Sequence, residues 1–305
     1  MPFQWAQLFT MALEFKPDVI LELGRGLGNS TCAFTEAANR LPNCSVISLD
    51  VSKVWEEETL PKVQKLMPAA WFEPLQALQA DILSFDFESV LKNANRVLIF
   101  WDAHGFDVAE CILGKILPLI QDRPHLVMMH DLADARYIPK EIESAYKGYE
   151  LWKGSNAEWI FMQLGNVVSG VAQAISVIDF TSRNDLTLHS SDHDLHTNLG
   201  SDETKMAEIL ELLGSEHFSL RGYWFWFSLN EKHGPYAFPK YEYDKDEAQR
   251  KNELEEKMKQ VYEFEEMVSQ KDVSTKMRIK LAAKILLNRY PKGFAKGIMW
   301  DIFTS

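Results

Sequence analysis

The chain has few cysteines, no long hydrophobic run and too little positive charge to balance its acids. Its three cysteines, Cys32, Cys44 and Cys111, are odd in number and widely spaced, with no C-x-x-C pair among 305 residues. That pattern speaks against a disulfide framework and a cysteine-rich zinc site, and fits reduced thiols in a cytoplasmic protein. No apolar stretch approaches the ~18 residues that a membrane-spanning helix needs. The opening residues lack the basic and apolar segments of a secretory leader. A formal charge of −12 repels phosphate backbones, so nucleic acid is not an expected partner. Internal repeats and low-complexity tracts are also missing. What is present is apolar side chain: 46% hydrophobic residues suffice for one large domain with additions, or two small ones.

The densest signal lies near the start. Val19-Ile20-Leu21-Glu22-Leu23 is an apolar run carrying one acid, and glycines follow at every second position, Gly24, Gly26 and Gly28. A helix-like segment, Thr31 to Arg40, comes next. Such a strand–turn–helix lets a ligand approach the backbone N–H groups, because glycine has no Cβ in the way. The dinucleotide fingerprint G-x-G-x-x-G would need a glycine at position 29, where Asn29 stands. About twenty residues on, Ser45–Asp50 reads as a second strand ending in a carboxylate, placed to accept hydrogen bonds from ribose hydroxyls. These residues point to a nucleoside-containing ligand.

Glu22-Leu23-Gly24-Arg25-Gly26-Leu27-Gly28 resembles motif I, E/D-x-G-x-G-x-G, of the class I S-adenosylmethionine-dependent methyltransferases. Gln79-Ala80-Asp81-Ile82 is similar to the segment after that family's third strand. Val97–Asp102 and Leu126–Asp131 resemble its fourth and fifth strands with their terminal acids. The resemblance covers roughly the first 140 residues. It implies an α/β fold: a doubly wound, mostly parallel seven-stranded sheet with an insertion and a C-terminal helical extension. It implies S-adenosyl-L-methionine as cofactor, held by Glu22, Gly24, Gly26, Gly28, Asn29 and Ser30, with Asp50 on the ribose and Asp81 and Ile82 beside the adenine.

At the ends of the fourth and fifth strands, Asp102, His104, His130 and Asp131 bring carboxylates and imidazoles together. This looks like the metal-dependent O-methyltransferases, sugar and catechol types included. The resemblance implies Mg2+ or another divalent cation on Asp102, His130 and Asp131, which would acidify an acceptor hydroxyl. Paired acids at a strand end can equally be hydrogen-bonded structural groups. His104 suits a general base, since an imidazole can take a proton from a hydroxyl near neutral pH; a cap on the following helix, 106–117, is the other reading. The histidines between His189 and His196 lack cysteine partners and a helical frame, so a solvated loop outweighs a zinc site there. Trp152, Trp159, Tyr223, Trp224 and Trp226 read as core before they read as a stacking surface for an acceptor. The function implied is O-methylation of a hydroxyl on a small molecule or glycan, with Asp102 and His104 as catalytic residues. Two alternatives are an NAD(P) oxidoreductase on a related sheet and a non-catalytic binding protein of the same fold.

Organisation follows from pattern changes along the chain. Trp5, Leu8, Phe9, Ala12 and Leu13 recur at helical spacing before Pro17. Residues 1–235 read as the methyltransferase-like domain, with 149–213 partly an insertion on the acceptor side. A helical stretch is expected at 140–147, an apolar segment at 165–180 and a polar loop at 181–202. The β-formers of 217–229 are expected to supply the closing antiparallel strands. Residues 236–305 read as a helical extension: Leu254, Met258, Val261, Phe264 and Val268 form a stripe at steps of three and four. Between 274 and 297 every charged residue is Lys or Arg. That segment reads either as an appendage docked on the core or on a second subunit, giving a homo-oligomer, or as a helix in peripheral contact with an anionic membrane or a phosphate-bearing acceptor.

Overall fold

Strands that are apolar at nearly every position must be covered on both faces, and the runs at 19–23 and 97–101 read that way. In the computed structural model they are the centre of the sheet. The structure describes residues 2–130, Leu132, 167–191, 201–215, 224–246 and Gln249. The strands are β1 Val19–Leu23, β2 Ser45–Asp50, β3 Leu75–Gln79, β4 Val97–Trp101, β5 His125–Met129, β6 His189–Ser190 and β7 Phe225–Phe227. They form one seven-stranded sheet in the order β3-β2-β1-β4-β5-β7-β6. The first five run parallel, and β7 pairs antiparallel with both β5 and β6. From β1 the chain winds outward to β2 and β3, and then returns to β4 on β1's other side. The order therefore reverses between β1 and β4, and a crevice opens at their carboxyl ends, where doubly wound sheets bind ligands.

Two helical layers cover the sheet. One layer is α1 Pro2–Phe15 and α2 Asn29–Arg40. Leu8, Ala12, Phe34 and Ala37 pack there on Ile20, Val46, Leu98, Phe100 and Met128. The other layer holds α3 Phe87–Leu91, α4 Phe106–Cys111 and α5 Val167–Arg183, with α4 running on through a π-helical turn, Ile112–Ile116, to Leu117–Ile120. Phe87, Ile112, Leu113, Val177 and Phe180 pack there on Leu21, Leu23, Ile47, Leu49, Ile99, Trp101 and Val127. Alternate residues of each strand thus serve alternate layers, as the two-residue period of a strand requires. A further helix, α6, spans Glu203–Leu213 and is capped by Asp202, whose carboxylate accepts from the Lys205 N–H.

The α1 helix, the parallel strands and the antiparallel closure agree with expectation. The closure differs in one respect. Segment 217–229 was expected to supply the antiparallel strands, yet among the described residues it contributes only β7; β6 comes from the segment expected to be a polar loop. Two residues are too few to show alternation, and His189 and Ser190 carry no β signal of their own. They are held by pairing with Phe225 and Trp226, by the His189 ring stacked on Trp226, and by the His189–Glu231 contact of 2.9 Å. The expected apolar segment is α5. The expected helix at 140–147 lies outside the described residues, as do the stripe at 254–268 and the basic stretch at 274–297. The described residues up to Tyr241 belong to one unit, and those from Glu242 to a second. Cys32, Cys44 and Cys111 are free thiols. Burial pushes Cys32 up to about 11 and Cys44 and Cys111 to about 12. Among the described residues no helix is long and apolar enough to cross a membrane.

A buried histidine ties the closing strand to the parallel part of the sheet. The His125 Nδ1 donates to the Arg123 carbonyl at 2.8 Å, and its Nε2 accepts from the Leu229 N–H at 3.0 Å. A ring that both donates and accepts is neutral, and burial holds its pKa below the ordinary value. Because the folded pKa is lowered, this contribution is fully present above the unfolded value near ~6.5 and is lost as pH falls below it. Urea denaturation at a series of pH values should show wild-type stability falling from pH 7 to pH 5 more steeply than that of His125→Leu. The excess slope is at most about 1.4 kcal/mol per pH unit. Parallel curves would remove the assignment.

Candidate active site

The crevice at the switch point is built from the turn after β1. Gly24, Gly26 and Gly28 all have positive φ, at 93°, 51° and 80°. Two of these glycines are required by the protein's own packing. A Cβ on Gly24 would lie 2.7 Å from the Asp102 backbone, so the turn can approach the end of β4 only without one. A Cβ on Gly28 would lie 2.1 Å from the Trp55 ring, which is buried against the turn. Gly26 is different: nothing lies within 4 Å of its Cβ position, so its exposed backbone borders open space. Asn29 and Ser30 begin α2, whose first-turn N–H groups are the orphan donors found at any helix start.

Asp50 ends β2 and turns its carboxylate onto this turn. Its Oδ2 accepts from the Arg25 and Gly26 N–H groups at 2.9 and 2.8 Å, and its Oδ1 accepts from the Ser52 N–H at 2.7 Å. Asp81, just beyond β3, is half-buried, with Oδ1 accepting from the Leu83 N–H at 2.9 Å. Ile82 belongs to the core, and its carbonyl accepts from the Cys111 thiol. Asp50 and Asp81 therefore stand at adjacent strand ends, and Asp50 holds the glycine turn.

Glu22 sits directly across from Ser48 in the β1–β2 register and is fully buried. Its Oε2 accepts from the Ser48 and Thr31 hydroxyls at 2.5 and 2.6 Å, and its Oε1 from Ser30 at 2.5 Å. Burial outweighs these three bonds and pushes its pKa up to about 7, although the hydroxyls and the Arg25 charge pull the other way. Ser30 is thus turned inward to Glu22 rather than out toward a ligand.

Sequence reasoning missed Arg25. Its side chain is buried beneath the crevice, donating to the Ser48 carbonyl at 2.8 Å and to Glu56 at 3.0 Å, where the pair forms a salt bridge. Arginine in a glycine turn ordinarily reads as solvent-exposed. The only hint was Glu56, one of three consecutive acids after Trp55.

On the other side of the switch point, Asp102 follows β4 and His130 follows β5. The His130 Nδ1 is 3.9 Å from the Asp102 Oδ1, and its ring lies on Trp224 with centroids 4.6 Å apart. Asp131, the third expected metal ligand, lies outside the described residues. Among those described, no group of three or more His, Cys, Asp or Glu side chains is arranged to hold a metal ion. Trp224 is buried and packs edge-on against Phe100, so it is core. Trp152, Trp159, Tyr223, His193 and His196 lie outside the described residues. His104 stands in the loop between β4 and α4, half-buried, with Nδ1 2.7 Å from the Gln173 Oε1.

No protein-family model matches the chain, and no curated protein matches it. Solved structures do. One is a candidate caffeoyl-CoA O-methyltransferase from Staphylococcus aureus, 13% identical, aligned over 61% of this chain and 77% of its own, with TM-score 0.40. Another is the SAH-bound methyltransferase PaMTH1 of Podospora anserina, 16% identical, over 61% and 73%, with TM-score 0.38. Likenesses at this level carry no functional reading. The strand order and the parallel pairing of β1–β5 show a doubly wound α/β fold with its glycine turn at the point where the order reverses.

Proposed function

We propose that the chain is an S-adenosylmethionine-dependent methyltransferase acting on a hydroxyl of a small molecule or glycan. The observation that carries this reading is Asp50: a carboxylate at the end of β2, turned onto the glycine turn at the point where the strand order reverses. The residues present fit the cofactor. The Asp50 Oδ1 receives one protein hydrogen bond and keeps acceptor capacity for a sugar hydroxyl. Gly26 borders open space, the start of α2 offers N–H groups to a carboxylate, and Asp81 offers an acceptor to an exocyclic amino group.

Bound there, the sulfonium supplies a methyl group that is already activated, so the chain's work is alignment and exclusion of water. His104 takes the proton from the acceptor hydroxyl, and Asp102 orients that hydroxyl at the end of β4. A divalent cation held by Asp102, His130 and Asp131 would acidify the hydroxyl further. One imidazole among carboxylates suits a first-row ion such as Mn2+ at least as well as Mg2+. Residues 149–213, apart from α5 and β6, are partly an insertion on the acceptor side.

Calorimetry and thermal shift with S-adenosylhomocysteine and with NAD test the reading. S-adenosylhomocysteine is expected to bind and to stabilise by about 2.7 kcal/mol at a hundredfold excess over Kd, and NAD to do neither. Stabilisation by NAD alone would replace the reading with an oxidoreductase; no response to either would favour a non-catalytic role. Methyl transfer that survives complete EDTA treatment would dispose of the metal.

A further inference from the structure

Helix α5 reads as an apolar stretch, yet it buries a polar stripe. Gln173, Ser176 and Asp179 recur at steps of three and are at most 5% exposed. Gln173 is wholly buried, with its amide between two groups at the end of β4. Its Nε2 donates to the Trp101 carbonyl at 3.3 Å, and its Oε1 lies 2.7 Å from the His104 Nδ1. A carbonyl oxygen can only accept, so the amide must present its NH2 group to Trp101. The amide oxygen then faces the imidazole, and it too can only accept. The His104 Nδ1 must therefore carry the hydrogen of that bond, and in the neutral ring Nε2 is left as a bare lone pair. Among the described residues Nε2 has no protein partner.

The geometry points to Gln173 as the residue that selects the His104 tautomer, and so to a positioning role in proton removal. This rests on the reading of His104 as the base. The Trp101 carbonyl orients the Gln173 amide, the amide orients the imidazole, and the imidazole presents Nε2 to an acceptor hydroxyl. The arrangement parallels the general rule that the partner of one ring nitrogen decides what the other can do. Gln173 touches neither donor nor acceptor and acts only through His104.

The experiment is two-bond 15N–1H correlation spectroscopy of 15N-histidine-labelled full-length protein, kept metal-free with EDTA at pH 8. His104 is assigned by the signals lost in His104→Gln. In wild-type protein His104 is expected to carry its hydrogen on Nδ1. In Gln173→Leu it should shift toward the Nε2-protonated form, while Gln173→Glu, which restores an acceptor at the same place, should return it to Nδ1. Affinity for S-adenosylhomocysteine should stay within about twofold in both variants, since the Gln173 amide bonds Trp101 and His104 and none of the residues assigned to the donor. Hydrogen on Nε2 in wild-type protein overturns the proposal, and this spectrum decides even if a variant does not fold. An unchanged His104 signal in folded Gln173→Leu overturns it too. Failure of the methyltransferase reading appears separately, as no S-adenosylhomocysteine binding in protein whose His104 spectrum is as expected.

Discussion

Replacing Asp50 with alanine is expected to weaken S-adenosylhomocysteine binding by one to two orders of magnitude, or about 1.4–2.8 kcal/mol. Two effects add. The substitution removes the acceptor for the sugar hydroxyls, and it releases the N–H groups of Arg25, Gly26 and Ser52, which Asp50 holds in the free protein. Released, the glycine turn loses the arrangement that borders the ligand, so part of the lost affinity is lost preorganisation. The two effects separate by experiment. Asp50→Asn keeps one carbonyl oxygen and can hold either the Arg25 and Gly26 pair or Ser52, but not both sets. Affinity should rank wild type above Asp50→Asn above Asp50→Ala, and ligand-free thermal stability should rank the same way. Calorimetry showing full affinity in Asp50→Ala would sink the assignment of the crevice to a nucleoside, whatever happened to stability.

Strands β1, β2, β4 and β5 were legible because each is a largely apolar run that stops at or near an acid, and a buried strand leaves that signature. Strand β3, Leu75-Gln76-Ala77-Leu78-Gln79 and half-exposed, leaves none and was placed only by the resemblance of the segment after it. Asp50 and Asp102 were legible for the same reason as their strands, since strand ends in a doubly wound sheet face one crevice, whereas Asp81 came from the resemblance alone. The glycine turn was legible as a turn, but its division of labour was not. Gly24 and Gly28 answer to the Asp102 backbone and the Trp55 ring, contacts made by residues far along the chain, and only Gly26 is left facing space. Arg25 and Gln173 escaped notice because a polar residue in a turn or a helix is assigned to solvent by default. What buries each is a partner distant in sequence: Glu56 for Arg25, and Trp101 with His104 for Gln173. The spacing of Gln173, Ser176 and Asp179 would have revealed an inward polar face, had the helix been known to be covered on that side. Strand β6 left no signal, because two residues at a sheet edge are fixed by their neighbours and not by their own preference.

Glu22 offers the largest expected change in stability. Burial raises its folded pKa to about 7 from 4.5. A carboxyl whose folded pKa is raised keeps its proton in the native state after the unfolded chain has lost its own. Stability from this group is therefore fully present below about 4.5 and is lost as pH rises through about 7. At 1.36 kcal/mol per unit, the loss across that window is about 3 kcal/mol. Glutamine at this position cannot titrate, and it keeps an oxygen for the Ser30, Thr31 and Ser48 hydroxyls, which can rotate to suit an amide. Guanidinium denaturation of wild-type and Glu22→Gln proteins at pH 4.5 and pH 8 isolates the term, because contributions from His125 and from surface groups are common to both and cancel. The difference between the two proteins is expected to move by about 3 kcal/mol in favour of glutamine on going to pH 8. A constant difference would mean that the three hydroxyls and Arg25 hold Glu22 ionised in spite of its burial. Strand β1 would then carry a fixed negative charge beneath the crevice, in place of a proton that leaves near neutrality.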